Sequence, residues 1–365
     1  MFLLALLVPA ATQLLSGDTR ISGAEKRALE PMPVWPKSWS DWVSFPKRAD
    51  RFLQDHFGLR PRLLVGWKLL QYEFRYSADP FVAIGQDGWL YYSQYWKEKF
   101  HTSGCDTSLP DLRVFADHMD RLTAYAAMRH VPVLFAIAPD KEAIYPEYLP
   151  EGMNAGGGCD LFVELMPMLE RERNVRAPDL RAMFKARKAG EQVYFRTDSH
   201  WNDVGSWHVS RVLLDGVCAG AGTCAKLPTP SFSTKTFSGD LLGLIGLGSV
   251  FDEKYVSVDV PALKYGREVI DDHPWGGSFN TERLVKEAKA GRTLQVIGDS
   301  FGKELLPVLI ADESVSTVIW SYHRDGLVDW PRIVAAKPSA ILIVMVERSL
   351  YNRHLLQSFA SNVPE

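Results

Sequence analysis

The sequence has no excess of positive charge. Among its 365 residues, 41 lysines and arginines are balanced by 44 aspartates and glutamates, which leaves a formal net charge of -3 at pH 7. Proteins that bind nucleic acids need a basic surface to compensate the phosphates. A nucleic-acid partner is therefore not expected, and a neutral or acidic substrate fits this charge better.

Cysteine is also scarce, and its pattern argues against a metal site. The four cysteines show no CxxC spacing and no pair of histidines at zinc-finger distance. Two disulfides, Cys105 with Cys159 and Cys218 with Cys224, are one interpretation. Four buried free thiols are the alternative. Neither a metal nor a cofactor is predicted.

The apolar run at the start of the sequence is too short to cross a bilayer. Residues 2–15 are uncharged and apolar and no lysine or arginine precedes them, whereas a spanning helix needs about 20 residues. Residues 1–19 are interpreted as the remnant of a signal or membrane anchor, with a plain apolar N-terminal segment as the alternative. Together with the cysteines, this run favours an exported, periplasmic protein. Residues 20–46, rich in proline and tryptophan, are predicted to be a linker.

The rest of the composition is that of a folded protein, with 46% apolar and 23% charged residues. Beyond residue 110, amphipathic helices alternate with short runs of β-branched residues. This alternation predicts an α/β fold with a doubly wound, mostly parallel sheet of flavodoxin-like type. The segment 221–290 lacks the alternation and is predicted to be an insertion. The domain is assigned to residues 47–352, followed by a C-terminal tail at 353–365.

The elements of this fold are predicted from periodicity and turn signals. Helical spacing over residues 47–76 and a hairpin at 81–92, turning at Gln86-Asp87-Gly88, precede the sheet. The predicted strands are 131–138, 175–177, 193–196, 294–297, 315–320 and 340–346. The predicted helices are 112–129, 161–172, 204–218 and one that starts at Lys303.

The strongest functional signal follows the strand 294–297, where the sequence reads Gly298-Asp299-Ser300-Phe301. Ligands of open α/β sheets bind at the carboxyl ends of the strands. A serine at this turn would present its hydroxyl at that edge, and backbone N–H groups at the start of the next helix could serve as an oxyanion hole. The alternative is a serine that only caps an ordinary helix.

A second motif, Asp198-x-His200, follows the predicted strand 193–196. Both motifs then lie at carboxyl ends of strands of one sheet, which would bring His200 to Ser300. In this arrangement His200 is the general base, and Asp198 fixes its tautomer and stabilises its charged form. The alternative is that Asp198 or Asn202 caps the following helix and that His200 is a surface residue.

Together these motifs resemble the SGNH-hydrolase-like domain of the alginate O-acetyltransferase family, of the AlgJ and AlgX type. The Asp-x-His motif precedes the Gly-Asp-Ser block, the reverse of the order in ordinary SGNH esterases, which resembles a circular permutation. Further stretches extend the resemblance over about residues 25–351. They are Asp55-His56-Phe57-Gly58-Leu59-Arg60, Gly85-Gln86-Asp87-Gly88-Trp89-Leu90-Tyr91, Pro139-Asp140-Lys141, Tyr145-Pro146, Ser238-Gly239-Asp240-Leu241 and Val346-Glu347-Arg348.

The resemblance implies a serine-dependent O-acetyltransferase. Residue by residue, it implies that Ser300 is the nucleophile, His200 the base and Asp198 the orienting acid. It also implies an exported polysaccharide as acetyl acceptor, a membrane-bound O-acyltransferase as acetyl source, and a polysaccharide export complex as the setting. The chain departs from the family by ending soon after the predicted sheet, so a separate C-terminal carbohydrate-binding module, which some members carry, is not expected.

Four further residues are predicted to contact the substrate. Trp201, beside the proposed base, is a candidate platform for stacking a sugar ring, with Asn202 next to it. Tyr322 and His323 follow a predicted strand and are candidate substrate or oxyanion contacts, with a polar loop as the alternative. Two basic residues that follow strands are interpreted as structural ion-pair partners: Lys141 and Arg348.

Two other functions stay open from the sequence alone. An esterase that removes acetyl groups would use the same acyl-enzyme, because transfer and hydrolysis differ only in whether a sugar hydroxyl or water accepts the acetyl group. A non-catalytic scaffold of a polysaccharide biosynthesis or export complex is the other alternative. A scaffold would not need a serine, a histidine and an aspartate together, so it would keep its function when Ser300 is changed.

Overall fold

The computed structural model describes the chain in eleven stretches, which contain the Asp-x-His and Gly-Asp-Ser motifs. They are residues 21–22, 27–57, 59–94, 109–153, 160–171, 175–218, 226–260, 264–270, 279–287, 290–323 and 326–364. The apolar run 2–15 lies outside them, and each predicted disulfide involves a cysteine outside them. The export signal and the disulfide pairing therefore stay predictions.

The described residues form both helices and strands. The helices are α1 (Trp39–Asp55), α2 (Arg60–Glu73), α3 (Leu109–Ala127), α4 (Lys141–Ile144), α5 (Leu161–Arg171), α6 (Leu180–Arg187), α7 (Asp203–Cys218), α8 (Asp240–Leu244), α9 (Ser300–Lys303), α10 (Leu306–Ala311), α11 (Trp330–Ala336) and α12 (Arg353–Ser358). The strands are β1 (Ile21–Ser22), β2 (Arg27–Ala28), β3 (Val82–Ile84), β4 (Leu90–Tyr92), β5 (Val133–Ala138), β6 (Ser231–Phe237), β7 (Glu253–Asp259), β8 (Tyr265–Ile270), β9 (Thr281–Lys286), β10 (Arg292–Gly298), β11 (Val315–Tyr322) and β12 (Ala340–Val346). Among these helices, none is both long enough and apolar enough to cross a membrane.

One sheet joins six of the strands in the order β5-β12-β10-β11-β9-β8. The first four strands are mutually parallel, whereas β9 and β8 extend the edge in antiparallel pairing. Every residue of β12 is buried, as its unbroken apolar run predicts for a parallel strand covered on both faces. The mostly parallel sheet is thus observed, with an antiparallel edge.

Helices cover both faces of this sheet. Successive side chains of β12 alternate between two apolar clusters: Leu342 and Val344 pack on the face of α6, α7 and α10, and Ile341 and Ile343 pack on the face of α3, α5 and α12. After β10 the chain continues onto the first face, and after β12 onto the second. In doubly wound sheets, ligands usually bind at the carboxyl ends of two strands whose following segments diverge in this way.

Several predicted elements are confirmed within a few residues of their boundaries. The predicted strand 340–346 coincides with β12, and the predicted helix 112–129 overlaps α3. β3 and β4 pair as the predicted hairpin. Its turn contains Asp87 and Gly88, both with positive φ angles of 52° and 76°, which explains why an Asp-Gly pair occurs there.

Two predicted strands are not part of the sheet. Residues 193–196 make a single isolated bridge to the residues that follow them, and 175–177 make a single bridge, at Leu134. Pro178 has no N–H group with which to continue a ladder after 177. In the other segment, the carbonyl groups of Phe195 and Arg196 accept from Lys141 Nζ, and Leu90 adds a single backbone hydrogen bond to Arg196 instead of a ladder. The prediction that the Asp-x-His motif follows a strand of the sheet is therefore wrong.

The folded part begins earlier than the predicted boundary at residue 47. α1 starts inside the predicted linker, because Ser38 and Asp41 form a capping box: the Asp41 N–H donates to Ser38 Oγ (3.2 Å), and the Ser38 N–H donates to Asp41 Oδ2 (2.9 Å). Pro46 lies inside this helix. Proline usually interrupts a helix, which is why the sequence pattern placed the start after it.

The C-terminal residues and the predicted insertion also contribute to the same core. The predicted tail 353–365 contains α12, whose Leu355 and Leu356 are buried. The segment 221–290 supplies β8 and β9, the two antiparallel strands of the sheet. The assignment of residues 353–365 as a tail is therefore wrong. That 221–290 is an insertion, and that the motif order is permuted, stay predictions.

Candidate active site

Ser300 lies at the turn where β10 ends and α9 begins. A Cβ atom on Gly298 would collide with the carbonyl oxygen of Val344 in β12, so only glycine allows the two strands to approach this closely. The side chain of Asp299 accepts hydrogen bonds from the N–H groups of Phe301 (2.9 Å) and Val346 (2.7 Å). Asp299 thus joins the ends of β10 and β12 and leaves Ser300 exposed above them.

The Asp-x-His motif lies in an irregular loop, residues 195–200, that is held by side chains. The Nζ atom of Lys141 donates hydrogen bonds to the carbonyl oxygens of Phe195 (3.0 Å), Arg196 (3.0 Å) and Asp198 (2.6 Å). Burial lowers the pKa of Lys141 to about 8, although the nearby carboxylates of Asp198 and Glu253 oppose this shift. One buried amine therefore replaces the ladder of hydrogen bonds that a strand would provide.

The opposite side of the loop is held by Glu253, from β7. Its carboxylate accepts hydrogen bonds from the N–H groups of Arg196 (2.8 Å) and Thr197 (2.9 Å) and from the hydroxyl of Thr197 (2.6 Å). Glu253 is buried, and three donors satisfy the carboxylate that burial has removed from water. The predicted insertion thus supplies one of the supports of the loop.

The loop places three of the predicted residues in one hydrogen-bonded chain. His200 Nε2 lies 2.7 Å from Ser300 Oγ, and His200 Nδ1 lies 2.7 Å from Asp198 Oδ1. An ionised carboxylate only accepts, so Nδ1 carries the proton and Nε2 is left to accept from the serine hydroxyl. Exposure decreases along the chain: Ser300 is exposed, the His200 side chain is 19% exposed and that of Asp198 is 7% exposed.

The environment separates the pKa values of these acidic and basic groups. Burial by itself would raise the pKa of Asp198, but the hydrogen bond and charge of His200 and the N–H group of Asp240 outweigh it and lower the pKa to about 2. Burial opposes the charged form of His200, yet Asp198 and Asp240 raise its pKa above the ordinary value. The site therefore keeps Asp198 ionised and stabilises a proton on His200.

Trp201 is not placed to stack a sugar. Its side chain is only 1% exposed, and its ring packs edge-on against Phe301, with ring centroids 5.0 Å apart. The ring of His200 also rests on Phe301, at 4.6 Å. The prediction of a sugar platform at Trp201 is wrong, because the ring is part of the core beneath the imidazole.

The three remaining predicted contacts, Asn202, Tyr322 and His323, are all at least partly buried. Asn202 is buried; its side chain accepts from the N–H of Gly205 (3.0 Å) and donates to the Gln192 carbonyl (2.7 Å), so it caps the start of α7. Tyr322 and His323 stack on each other, with centroids 4.6 Å apart. The structure thus gives Asn202 a helix-capping position, while substrate contact by Tyr322 and His323 stays a prediction.

Arg348 is an ion-pair partner, as predicted, whereas Lys141 binds carbonyl groups. The guanidinium of Arg348 lies 3.1 Å from Asp140 Oδ1 and over the ring of Phe301, 5.3 Å from its centroid. Burial opposes the charge of Arg348, but Asp140 and Asp299 raise its pKa. This cation lies next to the turn that carries the serine and supports it.

One group of the described residues also has the spacing of a metal site. Ligand atoms of Asp198, His200 and Asp240 all lie within 4.8 Å of one another. His200 Nδ1 is directed at Asp198 and carries a proton there, and a metal would have to displace that proton. The donor set therefore fits a hydrogen-bonded triad better than a metal centre.

Comparison with known proteins shows the family of the chain. Residues 82–307 match the family described as "SGNH hydrolase-like domain, acetyltransferase AlgX". The match covers more than half of the chain. The chain belongs to this family.

Curated relatives of this AlgX-domain protein bear the name "probable alginate O-acetylase AlgJ". The protein of Pseudomonas putida is 25% identical over 229 residues, which cover 62% of this chain and 57% of the relative. That of Pseudomonas aeruginosa is 27% identical over 192 residues, covering 51% and 46% respectively. The chain thus spans about half the length of the curated relatives it matches.

Solved structures share the fold of this AlgX-domain protein at low sequence identity. PatB1 of Bacillus cereus superposes with a TM-score of 0.54 at 15% identity, over 72% of this chain and 95% of its own. A DHHW family protein from Eubacterium siraeum gives a TM-score of 0.50 at 19% identity, over 67% and 88%. The SGNH-hydrolase-like fold is therefore established for this chain.

Sequence reasoning missed the groups that hold the loop 195–200. Lys141, Glu253 and Asp240 are distant from the loop in sequence, and only the folded chain brings them to it. Each belongs to a stretch that mixes glycine or proline with a charged residue. Two of these stretches, Pro139-Asp140-Lys141 and Ser238-Gly239-Asp240-Leu241, carry the family resemblance, but nothing in that resemblance indicates a contact with the loop.

Proposed function

We propose that this protein is an O-acetyltransferase that moves an acetyl group to a hydroxyl of an exported polysaccharide through an acyl-enzyme on Ser300. The observation that carries the proposal is the unbroken chain from Ser300 Oγ to His200 Nε2 and from His200 Nδ1 to Asp198 Oδ1, with both distances 2.7 Å. Membership of the AlgX-type family supports the same reaction.

In the first half-reaction, Ser300 Oγ attacks the carbonyl carbon of an acetyl ester. A bond forms between Oγ and this carbon while the hydroxyl proton moves to His200 Nε2. The bond between the carbonyl carbon and the donor oxygen then breaks, and His200 returns the proton to the leaving alcohol. Asp198 stabilises the imidazolium between these two transfers.

The second half-reaction repeats these steps with a sugar hydroxyl as nucleophile. His200 takes the proton of the hydroxyl, the new ester forms, and Ser300 is released with the proton that His200 returns. Water in place of the sugar would give hydrolysis from the same intermediate. Among the expected oxyanion donors, the Phe301 N–H is already bound to Asp299, so the hole must use other donors.

The cellular setting belongs to the same proposal. The relatives named alginate O-acetylases support an acidic exopolysaccharide as acceptor. Because the net charge of the protein is -3, binding of this polymer depends on individual groups near the site and not on the overall charge. Export to the periplasm through the apolar segment 2–15 is part of this proposal. A membrane-bound O-acyltransferase as acetyl source and a polysaccharide export complex are its expected partners.

The test compares Ser300→Ala with the wild-type protein and with a control, Ser361→Ala, at an exposed serine. Each protein receives a chromogenic acetyl ester with and without candidate oligosaccharides, and mass spectrometry follows free acetate, acetylated sugar and the protein itself. We expect acetylated sugar and a Ser300-linked acetyl adduct with the wild type and the control. Ser300→Ala should lose roughly a thousandfold or more in turnover.

Each other outcome points to a different function. Free acetate alone, at a rate that oligosaccharides do not change, would favour an esterase over a transferase. Full turnover by Ser300→Ala, or an adduct mapped to another residue, would reject Ser300 as nucleophile. A wild-type protein without turnover or adduct would leave the scaffold as the better description.

A further inference from the structure

A second carboxylate approaches the catalytic histidine from the segment after β6. This segment reads Ser238-Gly239-Asp240 and leads into α8. A Cβ atom on Gly239 would collide with the backbone of Thr197, so glycine is required for the segment to reach the loop. The hydroxyl of Ser238 donates to the Gly248 carbonyl (2.7 Å) and fixes the turn from the other side.

Asp240 contacts all three residues of the motif Asp198-Ser199-His200. Its backbone N–H donates to Asp198 Oδ2 (2.7 Å), the oxygen that His200 leaves unused. Its carboxylate accepts from the Ser199 N–H (2.8 Å) and the Ser199 hydroxyl (2.6 Å). Asp240 Oδ2 also lies 3.8 Å from His200 Nδ1.

We infer that Asp240 is a positioning residue of the acyl-transfer site, which fixes the carboxylate of Asp198 through its backbone and stabilises the imidazolium of His200 through its side chain. The inference rests on the proposed function, since it assigns a role within that triad. Two carboxylates then face one imidazole, so that part of the stabilisation of the charged ring comes from outside the Ser-His-Asp chain.

The charges around His200 support this assignment. Three carboxylates act on the ring and favour its protonated form, those of Asp198, Asp240 and Glu304, while burial opposes it. The nearby cation is that of Lys141, 2.6 Å from the Asp198 carbonyl oxygen, and a positive charge there does not favour the protonated ring. An imidazolium forms only while the proton is in transit, so a carboxylate 3.8 Å from Nδ1 stabilises the transition state more than the resting enzyme.

The carboxylate of Asp240 is in an environment that disfavours its charge. Burial and the charge of Asp198 raise the pKa of Asp240, whereas the hydrogen bonds from Ser199 oppose this shift. A residue that served only to shape the turn could be neutral, as asparagine is. A variant that removes only the charge of Asp240 therefore distinguishes an electrostatic role in catalysis from a structural role.

The test is Asp240→Asn, with Asp215→Asn as the matched control. Asp215 is an exposed aspartate on α7, twelve residues and so about 18 Å along the helix from its start near the loop. The pH profile of kcat/KM is measured with an acetyl ester, together with kcat, KM and the melting temperature. In parallel, NMR titration follows the imidazole of His200, assigned by its absence in His200→Ala.

We expect Asp240→Asn to lower kcat roughly tenfold or more, with KM changed less than about twofold. Loss of a negative charge lowers the pKa of His200, and the free base is the active form, so the acid limb of kcat/KM should move to lower pH. The NMR titration should move in the same direction. Asp215→Asn should leave both curves at their wild-type positions.

A purely structural role predicts a different result. Asp240→Asn would then lower the melting temperature and kcat while the acid limb and the His200 titration stay where the wild type has them, and this would overturn the inference. If Asp240→Asn does not fold, Ser199→Ala replaces it, because this change removes only the hydroxyl that holds Asp240 Oδ2. An unmoved titration in that variant would also reject the inference.

The two proposals fail in distinguishable ways. The NMR titration does not depend on turnover, so it reports on Asp240 even if the wild-type protein has no activity toward any acetyl ester. An inactive wild type with a shifted His200 titration in Asp240→Asn would reject the proposed function and keep the electrostatic coupling. An active wild type, together with an unshifted His200 titration in Asp240→Asn, would keep the proposed function and reject the role of Asp240.

Discussion

Asp198 uses both of its oxygen atoms, and this distinguishes it from a helix cap. Oδ1 accepts hydrogen bonds from His200 Nδ1 (2.7 Å) and from the His200 backbone N–H (2.9 Å). Oδ2 accepts from the Asp240 backbone N–H (2.7 Å). An asparagine offers only one acceptor oxygen. In Asp198→Asn the loop keeps its approximate shape, but one of these donors faces an amide group that cannot accept.

We expect Asp198→Asn to lower kcat by roughly three to four orders of magnitude, because the imidazole is left in the wrong tautomer. His200→Ala should be at least as damaging. The double variant should be no slower than the slower single variant, since members of one catalytic unit are not additive. Turnover and melting temperature are measured for all three; multiplied effects, or a lower melting temperature with near wild-type turnover, would contradict the triad.

Trp201 supports the histidine from below and should behave as a core residue. Its burial and its contact with Phe301 predict that Trp201→Ala costs about 3–5 kcal/mol in the free energy of unfolding. We expect KM for oligosaccharide acceptors to stay near its wild-type value in any folded fraction. Urea unfolding and acceptor titration check the two statements, and a selective rise in KM with unchanged stability would restore the sugar-platform hypothesis.

The loop 195–200, the catalytic loop of the proposed mechanism, is held mainly by side chains and not by a backbone ladder. A strand would share its hydrogen bonds among many backbone partners, whereas this loop depends, besides Asp240, on two charged side chains, Lys141 and Glu253. Their positions explain why an irregular segment can hold a histidine 2.7 Å from a serine on another part of the chain. Loss of either should therefore disturb rate and stability together.

We expect Glu253→Gln to cost about 1–3 kcal/mol in the free energy of unfolding, because an amide replaces one acceptor of a buried carboxylate. Turnover should fall as well, since the loop is no longer fixed. Glu164→Gln, at an exposed glutamate on α5, is the matched control and should change neither quantity. Urea titration and turnover of an acetyl ester are the measurements, and a Glu253→Gln variant with wild-type values in both would refute the role of this support.

How far the sequence predicts these elements depends on whether they are fixed by local patterns. β12 follows from an unbroken apolar run, and the turn at Ser300 follows from a strand that ends in Gly298-Asp299. The loop 195–200 does not follow, because its partners are 55 and 56 residues away in sequence, as with Lys141 and Glu253. The pairing of β9 with β11 also depends on contacts that no local window contains.

The stable unit extends beyond a minimal α/β core to the C-terminal helix α12. α12 packs against α3, where the carbonyl of Phe359 lies 2.9 Å from His118 Nδ1 and Arg353 Nε lies 2.7 Å from Asp111 Oδ2. Phe359 is fully buried in the cluster on this face of the sheet. The end of the chain therefore closes the core on the side opposite to the catalytic loop.

Removal of residues 353–365 should destabilise the protein severely, although Leu355 and Leu356 pack on the face of the sheet opposite to Phe301, the residue beneath His200. Loss of buried Leu355, Leu356 and Phe359 removes apolar contacts that are worth about 2–5 kcal/mol each, a large fraction of the total stability of a domain. We expect a truncated chain 1–352 to show a much lower melting temperature or no cooperative transition. A truncated protein that melts at the wild-type temperature would show that the C-terminal residues are dispensable.

The side-chain supports of the catalytic loop also have a consequence for its exchange with solvent. The backbone N–H groups of Arg196 and Thr197 donate to Glu253, and that of Ser199 donates to Asp240. All three can exchange with deuterium only when the loop separates from both carboxylates. These three amides should exchange slowly and at a common rate, unlike those of an ordinary surface loop. A site assembled in this way opens as a unit, and hydrogen exchange would report that opening as a single event.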